Sequence, residues 1–157
     1  MMIRVISIGK TNISFVQEGL KTYTQRLKHY TKCSWEELPD VKKVDRTDPD
    51  QLKLREGEAF LQQLTPRDTV ILLDEAGKGM SSQAFAEMIE HHQVYQQTDL
   101  VFIIGGAYGF SDALYDRAAR RLSLSAMTFN HQMVRLIFAE QLYRAFTIIK
   151  GEPYHHS

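Results

Sequence analysis

The chain has 157 residues, 43% of them hydrophobic, and no Pro-, Gly- or Ser-rich linker divides it, so its length predicts one compact domain, 1–157. Its 19 Lys and Arg residues balance its 19 Asp and Glu residues, which excludes electrostatic steering of the whole molecule toward a nucleic acid. The single cysteine, Cys33, excludes an internal disulfide and fits a cytoplasmic protein, and no stretch approaches the roughly 18 apolar residues of a membrane span.

Apolar periodicity predicts that strands and helices alternate along the chain. In the first half we predict a strand over 3–9, a helix capped by Asn12 with an apolar face from Ile13 to Tyr30, and a strand over 33–38. A mobile charged loop over 40–50 should follow, and then a helix from Asp50 to about Leu64. After it we predict a strand over 69–73 and a turn over 75–79. In the second half we predict a helix capped by Ser81 or Ser82, a strand over 100–104, a helix from Ser111 to about Arg121, a strand over 122–125 and a helix over 131–150 that ends at Gly151. This alternation favours the α/β class, with a mostly parallel sheet that helices cover on both faces. The strand order cannot be derived from the pattern.

Three glycines follow the predicted strand over 100–104, in the arrangement Gly105-Gly106-x-x-Gly109. Glycines at such a turn allow positive φ and the close approach of a ligand to the backbone, although plain strand-to-helix bends show the same pattern. The motif is neither G-x-G-x-x-G nor a P-loop, which argues against NAD and ATP. We expect this turn and the loop after Ser125 to leave the same ends of neighbouring strands and to form a ligand crevice.

Metal binding and nucleophilic catalysis have little support in the sequence. His91 and His92 are adjacent on a predicted helix, so they point about 100° apart and cannot chelate one ion together. No G-x-S-x-G motif is present, and Cys33 lies in a predicted strand. We therefore predict no metal site.

The final predicted helix is apolar on more than one face, which is not typical of a surface helix in a monomer. Either it is the central helix of the domain or it contacts another subunit. Arg144 lies four residues after Glu140, so it either forms a helix ion pair or has a functional role. Tyr154 and His155 are functional candidates only if the terminal tail is docked.

Five motifs in one order make the sequence similar to a known family. They are Leu73-Asp74-x-x-Gly77-Lys78-x-x-Ser81-Ser82, Ile104-Gly105-Gly106-x-x-Gly109, Leu122-Ser123-Leu124-Ser125-x-Met127-Thr128-x-x-His131, Glu140-Gln141-x-Tyr143-Arg144-Ala145 and Pro153-Tyr154-His155. The combination spans the whole chain and resembles the small SPOUT-class methyltransferases that modify 23S ribosomal RNA. Asn130 departs from the family pattern, in which proline often precedes the histidine, and we expect it to change the stiffness of the loop more than the chemistry.

The resemblance implies a homodimer, a deep trefoil knot near the C-terminus and S-adenosyl-L-methionine bound in that knot. It also implies methyl transfer to N3 of a pseudouridine in the helix 69 stem-loop of 23S rRNA within the 70S ribosome, without a membrane or a metal. Carried over by position, Leu73 lines the adenosine site, and Gly105, with Gly106 and Gly109, approaches the cofactor through the backbone. The residues that wrap the adenine and methionine portions are then Leu124, Ser125, Ala126, Met127, Thr128 and Phe129.

Methyl transfer to an imide nitrogen depends on in-line placement and on the loss of the N3 proton. The resemblance makes His131, Arg144, Tyr154 and His155 the candidates for this step, and the sequence does not assign the base among them. Two other functions stay open: a non-catalytic ribosome-associated protein that binds a nucleotide, and a plain α/β nucleotide-binding module.

Overall fold

The computed structural model describes residues 1–156. In this part of the chain the strands are β1 (Ile3–Ile8), β2 (Cys33–Leu38), β3 (Thr69–Gly79), β4 (Leu100–Ile104) and β5 (Arg120–Ser123). The α-helices are α1 (Ser14–Leu27), α2 (Pro49–Leu61), α3 (Ser82–His91), α4 (Asp112–Arg117) and α5 (Met133–Ile149), and α3 continues into one π-helical turn, His92–Gln96. The predicted alternation of strands and helices is confirmed.

The five strands form one sheet in the order β2-β1-β4-β3-β5, and every neighbouring pair is parallel. β4 is the central strand, since Phe102 pairs with Val5 of β1 on one side and with Ile71 of β3 on the other. A parallel arrangement needs crossover connections, and the helices between the strands supply them. The predicted α/β class is therefore correct.

Helices cover both faces of the sheet, as predicted. Phe102 packs against Phe85 of α3 and Phe138 of α5, with ring centroids 5.9 and 4.8 Å apart. The alternate residues Val101 and Ile103 belong to a separate cluster, which contains buried side chains of α2 and α4. Because all five residues of β4 are buried, this strand forms the centre of two cores, one on each side of the sheet.

Two predicted helix caps are wrong. Ile13 caps α1 without a side-chain hydrogen bond, and the Asn12 N–H instead donates to Oε1 of Gln132 at 2.9 Å. Asp48, and not Asp50, caps α2 by accepting a hydrogen bond from Gln51 N. Ser111 caps α4 as predicted, and of the two candidates Ser81 and Ser82 it is Ser81 that caps α3.

The predicted turn over 75–79 is also wrong, because β3 continues through it. After an irregularity between Leu73 and Lys78, the strand pairs Lys78 with Leu122 and Gly79 with Ser123. β5 starts at Arg120, earlier than predicted, and α4 correspondingly ends at Arg117. The first two residues of β5 are exposed arginines, so the apolar pattern does not predict a strand there. Its start is defined by its pairing with β3.

α5 begins at Met133, two residues later than predicted, and packs in one layer against both α1 and α3. Its side chains Phe138, Leu142 and Phe146 are buried in the core on that face of the sheet. α5 is thus the central helix of its layer, which was one of the two alternatives. Gly151 follows it with φ of +69°, as expected for a helix terminator.

The loop predicted over 40–50 is irregular up to residue 48, where the cap of α2 begins. No helix within residues 1–156 is long and apolar enough to cross a membrane.

Candidate active site

A cavity of about 340 Å³, here called the first cavity, opens at the carboxyl ends of β4 and β5, beside the irregularity in β3 that follows Leu73. Its lining comes from residues 73–75 of β3, from the end of β4 with the segment after it, and from β5 with the loop that follows it. The expected crevice is present, but the loops after β4 and β5 do not leave neighbouring strands, because β3 lies between the two. This position at the ends of parallel strands is where open α/β sheets bind ligands.

Nine of the ten residues predicted to bind a cofactor line the first cavity, and Ala126 is the exception. The nine are Leu73, Gly105, Gly106, Gly109, Leu124, Ser125, Met127, Thr128 and Phe129. His131 lines the same cavity. The structure therefore brings together three sequence segments that periodicity alone left apart, while their role in binding a cofactor stays a prediction.

The three glycines after β4 serve three different purposes. Only Gly109 has a positive φ, of +84°, so the expectation of left-handed backbone holds there alone. A Cβ at Gly105 would lie 2.7 Å from the ring of Phe110, and a Cβ at Gly106 would lie 2.8 Å from Oε1 of Glu56. Gly105 thus lets an aromatic ring close the cavity wall, and Gly106 lets a carboxylate approach the backbone.

We expect Gly105→Ala to displace the Phe110 ring, to destabilise the fold by about 1–3 kcal/mol and to weaken binding in the first cavity, which Phe110 also lines. Thermal melts and titration with S-adenosyl-L-methionine on the same sample measure both effects. Gly79→Ala is the matched control, since nothing lies within 4 Å of a Cβ there. Unchanged stability and affinity in Gly105→Ala would contradict the packing role of this glycine.

The charge of the first cavity is negative. Asp74 and Glu75 line it, and no Lys or Arg is among its lining residues. Asp74 accepts a hydrogen bond from the Tyr115 hydroxyl at 2.9 Å, and Glu75 accepts one from Thr128 at 3.2 Å. Carboxylates without a basic partner disfavour the phosphates of NAD or ATP and suit a ligand that carries positive charge, such as the sulfonium and ammonium groups of S-adenosyl-L-methionine.

The loop from 124 to 130 is held by its own hydrogen bonds. The Ser125 hydroxyl accepts from Met127 N at 2.9 Å, and the Asn130 side chain accepts from Gln132 N at 2.8 Å. The latter bond fixes the turn before α5. Through this hydrogen bond Asn130 restrains the loop at the position where many members of the resembled family have proline.

Arg144, Tyr154 and His155 lie outside the first cavity and form a separate group with Glu140, here called the tail cluster. Arg144 forms the ion pair with Glu140 that the helix spacing predicts, and the Tyr154 hydroxyl donates to the same carboxylate at 3.0 Å. Arg144 also donates to Nδ1 of His155 at 3.0 Å. The terminal tail is therefore docked, although not at the mouth of the cavity.

Within one chain, the tail cluster is distant from the first cavity. Val134, the last residue that lines the cavity, precedes Arg144 by ten residues on α5. At 1.5 Å per residue, this spacing corresponds to about 15 Å along the helix. Of the four catalytic candidates, the structure places only His131 at the cavity.

The protonation states of the tail cluster suit it to donating hydrogen bonds. The hydrogen bond with Glu140 raises the pKa of Arg144, and burial raises the pKa of Tyr154. Both groups therefore keep their protons at neutral pH. Because a guanidinium has no acceptor, Nδ1 of His155 is the acceptor in its contact with Arg144.

Other candidate chemistry is weak among residues 1–156. No group of three or more His, Cys, Asp or Glu side chains is placed to hold a metal ion there. His92 is buried, with Nε2 in a hydrogen bond 2.8 Å from the Thr98 carbonyl. Burial raises the pKa of Cys33 to about 12, which leaves its thiol protonated.

The sequence reasoning missed a second cavity of about 440 Å³. It is lined by Ile8, Gly9, Lys10, Asn12, Asp40, Glu56, Gly105, Gly106, Ala107, His131, Gln132 and Arg135. Arg135 is almost fully buried and donates to the carbonyls of Ile8 and Gly9 and to Thr11 and Glu37. Apart from Gly105, Gly106 and His131, no local pattern marks these residues, because the lining comes from five separate parts of the chain.

Known proteins are similar to this chain in sequence and in fold. A family model described as "Predicted SPOUT methyltransferase" matches residues 1–155. Proteins named ribosomal RNA large subunit methyltransferase H are similar over 156 residues, at 50% identity in Christiangramia forsetii, 49% in Flavobacterium psychrophilum and 47% in Parabacteroides distasonis, with 99% of each chain covered. A solved structure of a probable methylase family protein from Haemophilus influenzae Rd KW20 has a similar fold, with a TM-score of 0.54 at 14% identity over 99% of this chain and 70% of that one. The chain therefore belongs to the family of SPOUT methyltransferases, and it is a methyltransferase enzyme.

Proposed function

We propose that this protein transfers a methyl group from S-adenosyl-L-methionine to N3 of a pseudouridine in the helix 69 stem-loop of 23S rRNA, within the assembled 70S ribosome. The observation that carries the proposal is the first cavity, which combines carboxylates and accessible glycine backbone and has no Lys or Arg among the described residues that line it. Relatives of about half-identical sequence, named as ribosomal RNA methyltransferases, support the choice of substrate.

When bound, S-adenosyl-L-methionine supplies an electrophilic methyl group on a positively charged sulfur. Leu73 and Leu124 offer apolar contact for the adenine, and the backbone at Gly105 offers polar groups at close range. Asp74 and Glu75 stabilise the positive charge before transfer. The work of these residues is placement, because an in-line displacement gains most from holding donor and acceptor in contact.

The proposal includes a deep trefoil knot in the C-terminal part of the chain. It is supported by family membership and by the convergence on one cavity of residues 73–75 within β3 and of the segments after β4 and β5. A knot would fix these segments relative to one another, which suits a site that binds its cofactor largely through backbone groups.

A homodimer is also part of the proposal, and it predicts a dimeric mass in light scattering at micromolar concentration. Although α5 packs against the sheet, Val134, Ile137 and Ile148 remain only partly buried on it. A partner subunit would cover such side chains and would bring a second tail cluster within reach of a first cavity. A monomeric mass would contradict this part of the proposal.

The sequence has a formal net charge of zero and offers no long-range attraction to RNA. A ribosome that presents its RNA in a defined shape makes such attraction unnecessary. Action on ribosomes also agrees with a cytoplasmic location, as the lone cysteine suggests.

Methyl transfer to purified 70S ribosomes that lack the modification tests the proposal. Incorporation of one labelled methyl group at the helix 69 pseudouridine is the expected result. Calorimetry should show binding of S-adenosyl-L-methionine in preference to ATP and NAD, which separates this function from a general nucleotide-binding module. Binding of ribosomes and cofactor without turnover would favour the non-catalytic alternative.

A further inference from the structure

The two cavities at the end of the sheet share four lining residues. Gly105, Gly106, Ala107 and His131 line both the first and the second cavity. A third cavity, between the start of the sheet and α3, shares no residue with the first. A methyl acceptor must approach the donor to about 3–3.5 Å, so its binding site has to adjoin the cofactor site. The second cavity meets this requirement.

Glu56 of α2 is the half-buried carboxylate of the second cavity. Its Oε1 lies so close to Gly106 that a Cβ there would be only 2.8 Å away. Within residues 1–156 the Glu56 side chain has no hydrogen bond and no ion pair, whereas the nearby buried Arg135 has several partners. An acceptor that is half-buried and unpartnered beside the shared wall is available to a ligand.

We propose that the second cavity binds the target base of the RNA, and that the Glu56 carboxylate accepts the hydrogen of its imide N–H. The inference rests on the proposed function, because it concerns where the base that receives the methyl group in that reaction binds. It assigns to Glu56 a catalytic contact that neither the sequence motifs nor the candidates His131, Arg144, Tyr154 and His155 include.

The polar groups of the second cavity complement the edge of an imide. Such an edge presents one N–H donor between two carbonyl acceptors. The cavity supplies the carboxylate of Glu56 as acceptor, and Lys10 and Asn12 at its exposed rim as donors. A cytosine edge, with an amino donor in place of one carbonyl, matches this set less well.

The proton balance of the reaction gives Glu56 its role. The lone pair of N3 forms the new N–C bond while the bond between the methyl carbon and sulfur breaks, and its electron pair stays on sulfur. The N3 proton passes to the Glu56 carboxylate and from there to solvent. Arg144 and Tyr154 hold their own protons, so they are poor acceptors for this proton.

The surroundings of Glu56 favour proton uptake. Burial raises the pKa of this carboxyl, with a smaller raising effect from Asp40 and an opposing effect from Arg46. The other charged or titratable groups that line the same cavity are Lys10, His131 and Arg135. A raised pKa makes the carboxylate a stronger base than an exposed glutamate.

The test is Glu56→Gln, which keeps the size of the side chain and removes its charge. With S-adenosyl-L-methionine and ribosomes lacking the modification, we expect the single-turnover rate to fall about 100-fold with cofactor affinity unchanged. The wild-type rate should decrease as the pH falls and Glu56 becomes protonated, and the variant should lose this dependence. Glu56→Asp, which restores a carboxylate, should recover part of the rate.

Glu58→Gln is the matched control, because Glu58 lies on the same helix and is exposed, 3.6 Å from Arg55. Its rate should equal that of the wild type. A wild-type rate and pH profile in Glu56→Gln, on ribosomes that the wild type methylates, would overturn the role of Glu56 and leave the proposed function standing.

A direct binding measurement separates the inference from the proposed function. Titration of the protein with pseudouridine nucleoside, in the presence of S-adenosyl-L-methionine, should shift the backbone amide resonances of Asn12, Ala107 and Gln132. If these resonances move but the wild type transfers no methyl to ribosomes, the base site stands and the proposed substrate is wrong. If they do not move up to the solubility limit of the nucleoside, the second cavity is not the base site.

Discussion

Truncation after Gly151 is expected to lower methyl transfer to ribosomes about 100-fold or more, with the fold and the affinity for S-adenosyl-L-methionine preserved. The tail carries Tyr154 and His155 of the tail cluster, whereas Val134 is the last residue that lines the first cavity. In the proposed dimer, the tail cluster of one subunit reaches the first cavity of its partner, so loss of the tail removes hydrogen-bond donors near the substrate and leaves the lining of the cofactor site intact. Single-turnover rates and calorimetry on the truncated protein measure the two effects.

The docking of the tail has a readout that does not depend on activity. The Tyr30 hydroxyl donates to Glu152 at 2.7 Å, and this bond raises the pKa of Tyr30 to about 12. After truncation, the pKa should return toward about 10, as a difference titration against Tyr30→Phe would show. His155→Ala and Tyr154→Phe then divide the loss of rate between the two side chains. A truncated protein that methylates ribosomes at the wild-type rate would make the tail structural only.

Arg135→Met is expected to cost about 3–5 kcal/mol of unfolding free energy. The guanidinium is almost fully buried and donates to the carbonyls of Ile8 and Gly9 at 2.8 and 2.9 Å, as well as to Thr11 and Glu37. Methionine fills similar space but leaves these acceptors unsatisfied and the Glu37 carboxylate without its cation. Urea unfolding followed by circular dichroism measures the loss.

Arg55→Met provides the comparison for Arg135. Arg55 is half-exposed, and its contact with Glu58 at 3.6 Å is a surface pair, so its loss should cost less than about 1 kcal/mol. Arg135→Lys should lie between the two, because one ammonium cannot reach all of the acceptors. Equal stability of the Arg135→Met and Arg55→Met proteins would show that the buried network contributes little.

Features that depend on neighbouring residues were mostly predicted from the sequence, although Asp50 was predicted to cap α2 in place of Asp48. Ser111, and Ser81 as one of two candidates, could be predicted as caps because each hydroxyl accepts a hydrogen bond from an amide only three residues further on. Asn12 was wrongly predicted to cap α1, because its N–H donates to Gln132, which lies 120 residues away. The residues next to Asn12 in the sequence do not indicate a contact of that separation. The second half of β3 was missed for the same reason, since its pairing with β5 holds it extended.

The sequence by itself determined the α/β class, because alternating apolar runs and amphipathic stretches must bury their apolar faces against one another. Through its motifs, it also identified nine of the residues that line the first cavity. The tertiary structure decided the strand order, which puts β3 between β4 and β5, and with it the shape of the cavity. It also decided that Glu56 faces Gly106, that Arg135 joins the end of β1 to α5, and that the tail docks away from the first cavity. These contacts join segments that are far apart in the chain. They form because buried polar groups need hydrogen-bond partners, and these groups become buried only when the segments pack together.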